Sequence, residues 1–204
     1  MSRRARSNWL DGEKDVAVLE LNLSCPNVDE APDTAAELVA AARAATRKPL
    51  YAKLSPAQWD VAASARAVVA AGADGLSLVN TIRGLALDGS LRPRLARTVG
   101  GYSGPALRPI ALACVHACAA AVAVPIVGMG GVRTGLDALE LVAVGASSVA
   151  LGTVLFADPD APARIGAELT AEASARGYAN PLDAHAVAVV RSEKSLQIAQ
   201  NSTA

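Results

Sequence analysis

The chain has 204 residues, 52 % of them hydrophobic, which suits one packed domain and excludes a disordered segment. Basic and acidic side chains number 19 each, so no overall positive field draws in nucleic acid or an anionic membrane, and any bound anion needs a local site. The cysteines, Cys25, Cys114 and Cys118, are odd in number and lack a disulfide-framework spacing, and the opening MSRRARSNWLDGEKD has no apolar stretch of a secretory signal; both features point to a reducing cytoplasm.

Short β-rich runs alternate with longer alanine-rich stretches at helical period, the pattern of βα units around a parallel sheet. Residues 16–24 read as a strand and 33–46 as a helix capped by Asp33 or Thr34. A strand at 49–54 and a helix at 59–71, closed by Gly72, come next, then a strand at 75–79. The most apolar region, 106–132, is interrupted by Arg108, Pro109, His116 and Pro125, whereas a membrane span needs roughly 20 mainly apolar residues; it reads as a buried helix (105–121) and a strand (125–128). A helix at 134–144, a strand at 148–152 and a helix at 159–175 complete about five βα units with short connections. The exception is residues 81–104, a Gly/Arg/Pro-containing connection much longer than its neighbours. Within it, Leu85-Ala86-Leu87-Asp88-Gly89 predicts a hairpin with a tight Asp-Gly turn, a small β excursion over the C-terminal rim of the sheet.

The side chains that packing does not ask for fall at strand ends: Asn22, Cys25 and Asn27, then Lys53, Asn80 and Thr81, then Gly128 to Gly131, then Gly152 and Thr153. Parallel sheets place their ligands at that edge. GMGG followed by VRTG, with LGT in the next unit, offers unhindered backbone N–H groups and helix N-termini for a phosphate; the same glycines also suit tight turns. Alternation turns Lys53 inward, where a buried ammonium needs a ligand or a counter-charge, unless its side chain reaches solvent at the strand end. Asparagines after strands form turns through their own side chains, yet several on one rim also suit a planar, amide-containing ligand. Cys25 precedes Pro26 in a loop, which favours partial exposure and a role as nucleophile or proton-transfer base over burial. Cys114 and Cys118 flank His116, but the histidine points to another helix face and no further Cys/His cluster exists, so no metal site is expected; His185 has no evident partner.

In order and spacing, ELNLSCPNV, YAKLSP, GADGLSLVNT, GGYSGPALRPIAL, IVGMGGV and LGT resemble the C-terminal two-thirds of class 1 dihydroorotate dehydrogenases. The resemblance covers residues 16–175 and implies part of a TIM (β/α)8 barrel holding FMN at its rim and oxidising dihydroorotate to orotate in pyrimidine synthesis. By resemblance, Cys25 is the base that removes the substrate C5 proton, and its being a cysteine argues for class 1, since class 2 members carry serine there. Asn22, Asn27, Asn80 and Thr81 hold the substrate. Lys53 sits beside the flavin ring and stabilises its reduced anion, and Asn22 and Val79 also contact the flavin. Gly104, Gly130, Gly131, Gly152 and Thr153 cradle the phosphate and ribityl chain.

GGYSGPALRPIAL and GMGGV resemble the NAD-linked 1B subclass, which implies a separate FAD/iron–sulfur electron-transfer subunit as partner, in a homodimer or heterotetramer. Family members begin with three further βα units, so the expectation is an incomplete barrel of about five units lacking the N-terminal third, with two open sheet edges. VDEAPDTAAEL after Asn27 is shorter and more acidic than the glycine-rich loop of many NAD-linked members. Two other readings remain at this level: a relative of dihydropyrimidine dehydrogenase, and an inactive remnant.

Overall fold

The computed structural model describes residues 10–23 and 32–189; Cys25 and Asn27 lie outside them. The βα alternation holds. Strands β1 (Leu19–Asn22), β2 (Leu50–Lys53), β3 (Gly75–Leu78), β6 (Ile126–Met129) and β7 (Ser148–Ala150) form one parallel five-stranded sheet in that spatial order. Helices α1 (Pro32–Arg43), α2 (Val61–Ala70), α3 (Arg108–Ala121), α4 (Gly135–Ala143) and α5 (Ala161–Ala175) follow or connect these strands. Among the described residues the sheet does not close on itself, and β1 and β7 each have one edge without a partner strand.

The two faces of the sheet differ in chemistry, and the difference follows from a side-chain period of two. Leu50, Ala52, Leu76, Leu78 and Ile126 are buried in one continuous core with Val39 of α1, Ala65 and Val68 of α2, Ala111 and Val115 of α3 and Leu141 of α4. The register aligns Asn22, Lys53, Ser77, Val127 and Ser148 across the opposite face. That face carries polar side chains and half-buried Val127 and Met129, where a central parallel strand ordinarily carries aliphatics on both sides. Gly75 starts β3 because the Tyr51 ring lies over it; a Cβ there would meet the ring at 2.4 Å.

Local departures from the sequence reading have identifiable causes. The described part of helix α1 runs from Pro32 to Arg43, so Asp33 and Thr34 lie within the helix instead of capping it. Helix α2 is shorter than expected, because Asp60 is extended and its side chain accepts from the Ala63 amide, leaving Trp59 outside and fully exposed. The 105–121 helix divides into a 3-10 turn (Pro105–Leu107) and α3. The long connection forms an antiparallel ladder of β4 (Ile82–Gly84) and β5 (Gly100–Tyr102), with a bridge between Leu87 and Pro93. The two-residue Asp-Gly turn does not form. Asp88 instead accepts from the amides of Ser90 and Arg92 at 2.8 and 3.0 Å, spreading the turn over residues 88–92. Leu85, Leu87, Leu91, Leu95 and Tyr102 of this excursion are exposed.

Helices α4 and α5 approach closely at Gly135, where a Cβ would fall 2.2 Å from the Leu169 amide nitrogen. Among the described residues no helix is long and apolar enough to cross a membrane.

Candidate functional site

At the C-terminal ends of the strands lies a cavity of about 600 Å³, within the range of small-molecule and cofactor sites. Lys53, Val79, Asn80, Thr81, Gly104, Gly130, Gly131, Gly152 and Thr153, all expected site residues, line it together. They come from four separate βα connections, and the parallel sheet brings them to one rim. Asn22 stands beside them: the Asn80 side-chain amide donates to Asn22 Oδ1 at 3.1 Å. Asn80 also accepts from the Thr81 amide through its own Oδ1 at 2.8 Å, so it shapes the turn as well as facing the site. The Thr81 hydroxyl packs on β5, close enough that a Cβ at Gly101 would lie 2.4 Å from it.

The expected inward lysine is present, and its counter-charge is Glu20. The Glu20 Oε1 lies 3.3 Å from Lys53 Nζ, with the lysine side chain 24 % and the glutamate 41 % exposed. Both line the cavity.

The glycine loops at the other end differ in one respect from the phosphate-at-a-helix expectation. The N-terminus of α4 is already occupied by side chains. Asp137 accepts from the amides of Arg133 and Thr134 at 2.8 and 3.0 Å, Thr134 accepts from the Asp137 amide, and Glu168 accepts from the Gly135 amide at 2.8 Å. Those donors are spent on carboxylates and a hydroxyl that complement the helix dipole. The amides of Gly131, Gly152 and Thr153, by contrast, donate to no other described residue. A Cβ at Gly104 or Gly152 would project into open space. Gly104, Gly130 and Gly131 have φ of +97°, +128° and +78°, conformations that glycine adopts without strain. Gly131 has a second constraint, since a Cβ there would meet Gly104 O at 2.8 Å and Arg108 N at 2.9 Å. This end of the cavity is therefore lined by bare backbone from three loops. Thr153 and Ser103, joined hydroxyl to hydroxyl at 2.9 Å, tie the last loop to the start of α3.

The Asp137 carboxylate also pairs with the Arg108 guanidinium, which reaches Glu140 at 3.0 Å. This pair fastens the 130–134 loop against the start of α3.

Sequence reasoning missed Glu20, Ser103 and Arg133, which also line the cavity. Glu20 was findable by alternation, because it lies two residues before Asn22 on the same face of β1; Arg133 directly follows the GMGGV glycines.

The remaining reactive groups stand apart. Cys114 and Cys118 are free, buried thiols of α3, and Cys118 Sγ donates to the Val61 carbonyl at 3.7 Å. Burial, with Cys114 nearby as a lesser cause, pushes the Cys118 thiol up to about 12, and burial raises Cys114 too. His185 Nε2 is 3.1 Å from the Gly145 carbonyl, a partner on the loop after α4.

Fold and site together define a βα-barrel type of protein with a cofactor-sized cavity at its strand C-termini. The chain belongs to the dihydroorotate dehydrogenase family, whose sequence model matches residues 10–172. It is 45 % identical over 179 residues to the dihydroorotate dehydrogenase B (NAD(+)) catalytic subunit of Trichlorobacter lovleyi, an overlap of 84 % of this chain and 59 % of that protein. With the subunit of the same name from Alkaliphilus metalliredigens it shares 48 % identity over 158 residues, 74 % of this chain and 52 % of that one. The similarity is thus to the NAD-linked 1B subclass, and the chain spans between half and three-fifths of these relatives' length. The crystal structure of Eimeria tenella dihydroorotate dehydrogenase with ferulenol superposes with a TM-score of 0.74 at 25 % identity, covering 90 % of this chain and 56 % of the other.

Proposed function

We propose that this chain forms the flavin- and substrate-binding part of a dihydroorotate dehydrogenase, oxidising dihydroorotate to orotate in pyrimidine biosynthesis with FMN as cofactor. The observation that carries the reading is the cavity: amides that donate to no other described residue and open-sided glycines at one end, a lysine at the other, and room for a cofactor between them. Such a site suits a ligand with an anionic tail and a ring that gains negative charge.

Gly131, Gly152 and Thr153 would hold the FMN phosphate through their amides, with Gly104 and Gly130 giving the ribityl chain a close approach. Val79 would contact the ring, and Lys53 would face its developing charge. When bound, FMN supplies the two-electron acceptor for the hydride leaving substrate C6. Cys25 would take the C5 proton onto its Sγ. Asn22 and Asn27 would hold the substrate near that sulfur, and Asn80 and Thr81 would bind its carboxylate and ring amides.

The whole chain acts as one barrel-derived unit in this reading, working in the cytoplasm. Its electron acceptor is reached through an FAD/iron–sulfur partner subunit, in a homodimer or heterotetramer. The relatives' name, catalytic subunit, and the exposed apolar residues of the 82–102 excursion support a partnered assembly.

Titration of FMN into the 204-residue chain, followed by flavin fluorescence, tests the cofactor assignment. Saturable quenching with FMN, much weaker with riboflavin, is the expected result. Absence of saturation refutes the site. For the base, Cys25→Ser in FMN-loaded protein slows flavin reduction by dihydroorotate most below the thiol pKa while FMN stays bound; an unchanged rate across neutral pH removes Cys25 from that role.

A further inference from the structure

We propose that Glu20 sets the net charge at the ring end of the cavity by offsetting Lys53, and that it thereby lowers the reduction potential of the bound flavin. This rests on the reading of the cavity as an FMN site.

Alternation on β1 directs Glu20 and Asn22 to the face that carries Tyr51 and Lys53 on β2, with Glu20 in register with Tyr51 and Asn22 with Lys53. Glu20 reaches diagonally to Lys53, 3.3 Å from Oε1 to Nζ, and both side chains line the cavity. Stability does not account for the pair. At 24 % and 41 % exposure the two charges are well screened by water, and such pairs add little to folding. A strand facing a cavity would pack better with an apolar residue at position 20.

A ligand in the cavity changes this balance. Filling it displaces water, lowers the local dielectric and lengthens the reach of each charge. With Glu20 ionised, the ring end then carries Lys53 and Glu20 together and is close to neutral; the other cation lining the cavity, Arg133, follows the Gly130-Gly131 turn beside the phosphate cradle. Without the carboxylate, the same end carries one net positive charge. The reduced flavin ring holds a negative charge that the oxidised ring lacks, so removing Glu20 favours the reduced form and removing Lys53 disfavours it. A unit charge roughly 10 Å away at an effective dielectric of about 20 alters such an equilibrium on the order of tenfold.

The test is a spectroscopic redox titration of the FMN-loaded chain against reference dyes, for the wild type, Glu20→Gln, Glu20→Asp, Lys53→Met and the Glu20→Gln/Lys53→Met pair. Glu20→Gln should raise the ratio of reduced- to oxidised-FMN affinity about tenfold, a positive shift of about 30 mV for a two-electron couple. Lys53→Met should shift the potential the other way, the double variant should return near the wild type, and Glu20→Asp should stay close to it. A Glu20→Gln protein that holds FMN at the wild-type potential overturns the proposal, as does loss of FMN from Glu20→Gln alone, which would make Glu20 a binding residue. A wild-type chain that takes up no FMN overturns the cofactor reading itself, and this inference with it.

Discussion

Asp137→Ala tests how the glycine loop at residues 130–134 is held. In the native chain one carboxylate accepts from the Arg133 and Thr134 amides at 2.8 and 3.0 Å and pairs with Arg108, while Thr134 accepts from the Asp137 amide at 3.2 Å. Alanine keeps the last bond and abolishes the others. Loss of the capping-box partner costs about 1 kcal/mol. The Arg133 amide, deprived of its acceptor in a part-buried turn, adds about 1–2 kcal/mol more. The guanidinium is not stranded, because Arg108 is 34 % exposed and keeps Glu140 at 3.0 Å, so the 3–5 kcal/mol that follows from breaking a fully buried pair does not apply. The expected total is about 2–3 kcal/mol. With a urea m-value of about 2 kcal/mol/M, the unfolding midpoint falls by about 1–1.5 M at constant m. An asparagine in place of the aspartate would retain one acceptor, so Asp137→Asn should lose about half as much. Equilibrium urea unfolding followed by circular dichroism measures both. A loss below about 0.5 kcal/mol for Asp137→Ala would refute the argument, since a bare capping contribution would already exceed it.

Gly131→Ala should weaken FMN binding at least tenfold in the fluorescence titration, because its φ of +78° and backbone atoms at 2.8 and 2.9 Å from the new Cβ force the loop to move; unchanged affinity would show that the loop does not form the cradle. Cys114 and Cys118 should resist a thiol reagent at pH 8 in native buffer and react only on unfolding, since burial keeps both protonated; rapid native modification of either, mapped by mass spectrometry, contradicts their placement. The Arg164 guanidinium, and then the Gly135 amide, hold the Glu168 carboxyl below its ordinary value of 4.5. A carboxyl depressed in the folded state stabilises the fold above its unfolded pKa and loses that contribution as pH falls through the folded one. Glu168→Gln should therefore flatten the stability profile below about pH 5 relative to the wild type, and an unaltered acid limb in pH-dependent thermal melts would exclude this contribution.

Much of the architecture was legible along the chain because its determinants are local. Period-two runs ending in Asn, Lys or Gly marked the strand exits, alanine-rich stretches at helical period marked the helices, and Gly72 closed α2 where only a positive φ of 106° would serve. The nine cavity-lining residues among those expected were found for the same reason: parallel strands bring their C-terminal ends to one edge, so reading each exit separately is enough to place it. Cys25 and Asn27, read from the sequence alone, lie outside the described part of the chain.

Relations between units were decided elsewhere. Glu20 became the partner of Lys53 through the register of β1 on β2, and no feature of either strand alone specifies which side chains meet diagonally across a sheet. The donors at the start of α4 read as an anion site until the fold brought Glu168 from α5 onto Gly135 and Arg108 from α3 onto Asp137. Composition and periodicity determined which segments become strands, helices and turns, since those choices depend on a residue and its near neighbours. Which charges neutralise one another, and which amides are left for a ligand, depended on distances across the chain that exist only once the sheet has assembled.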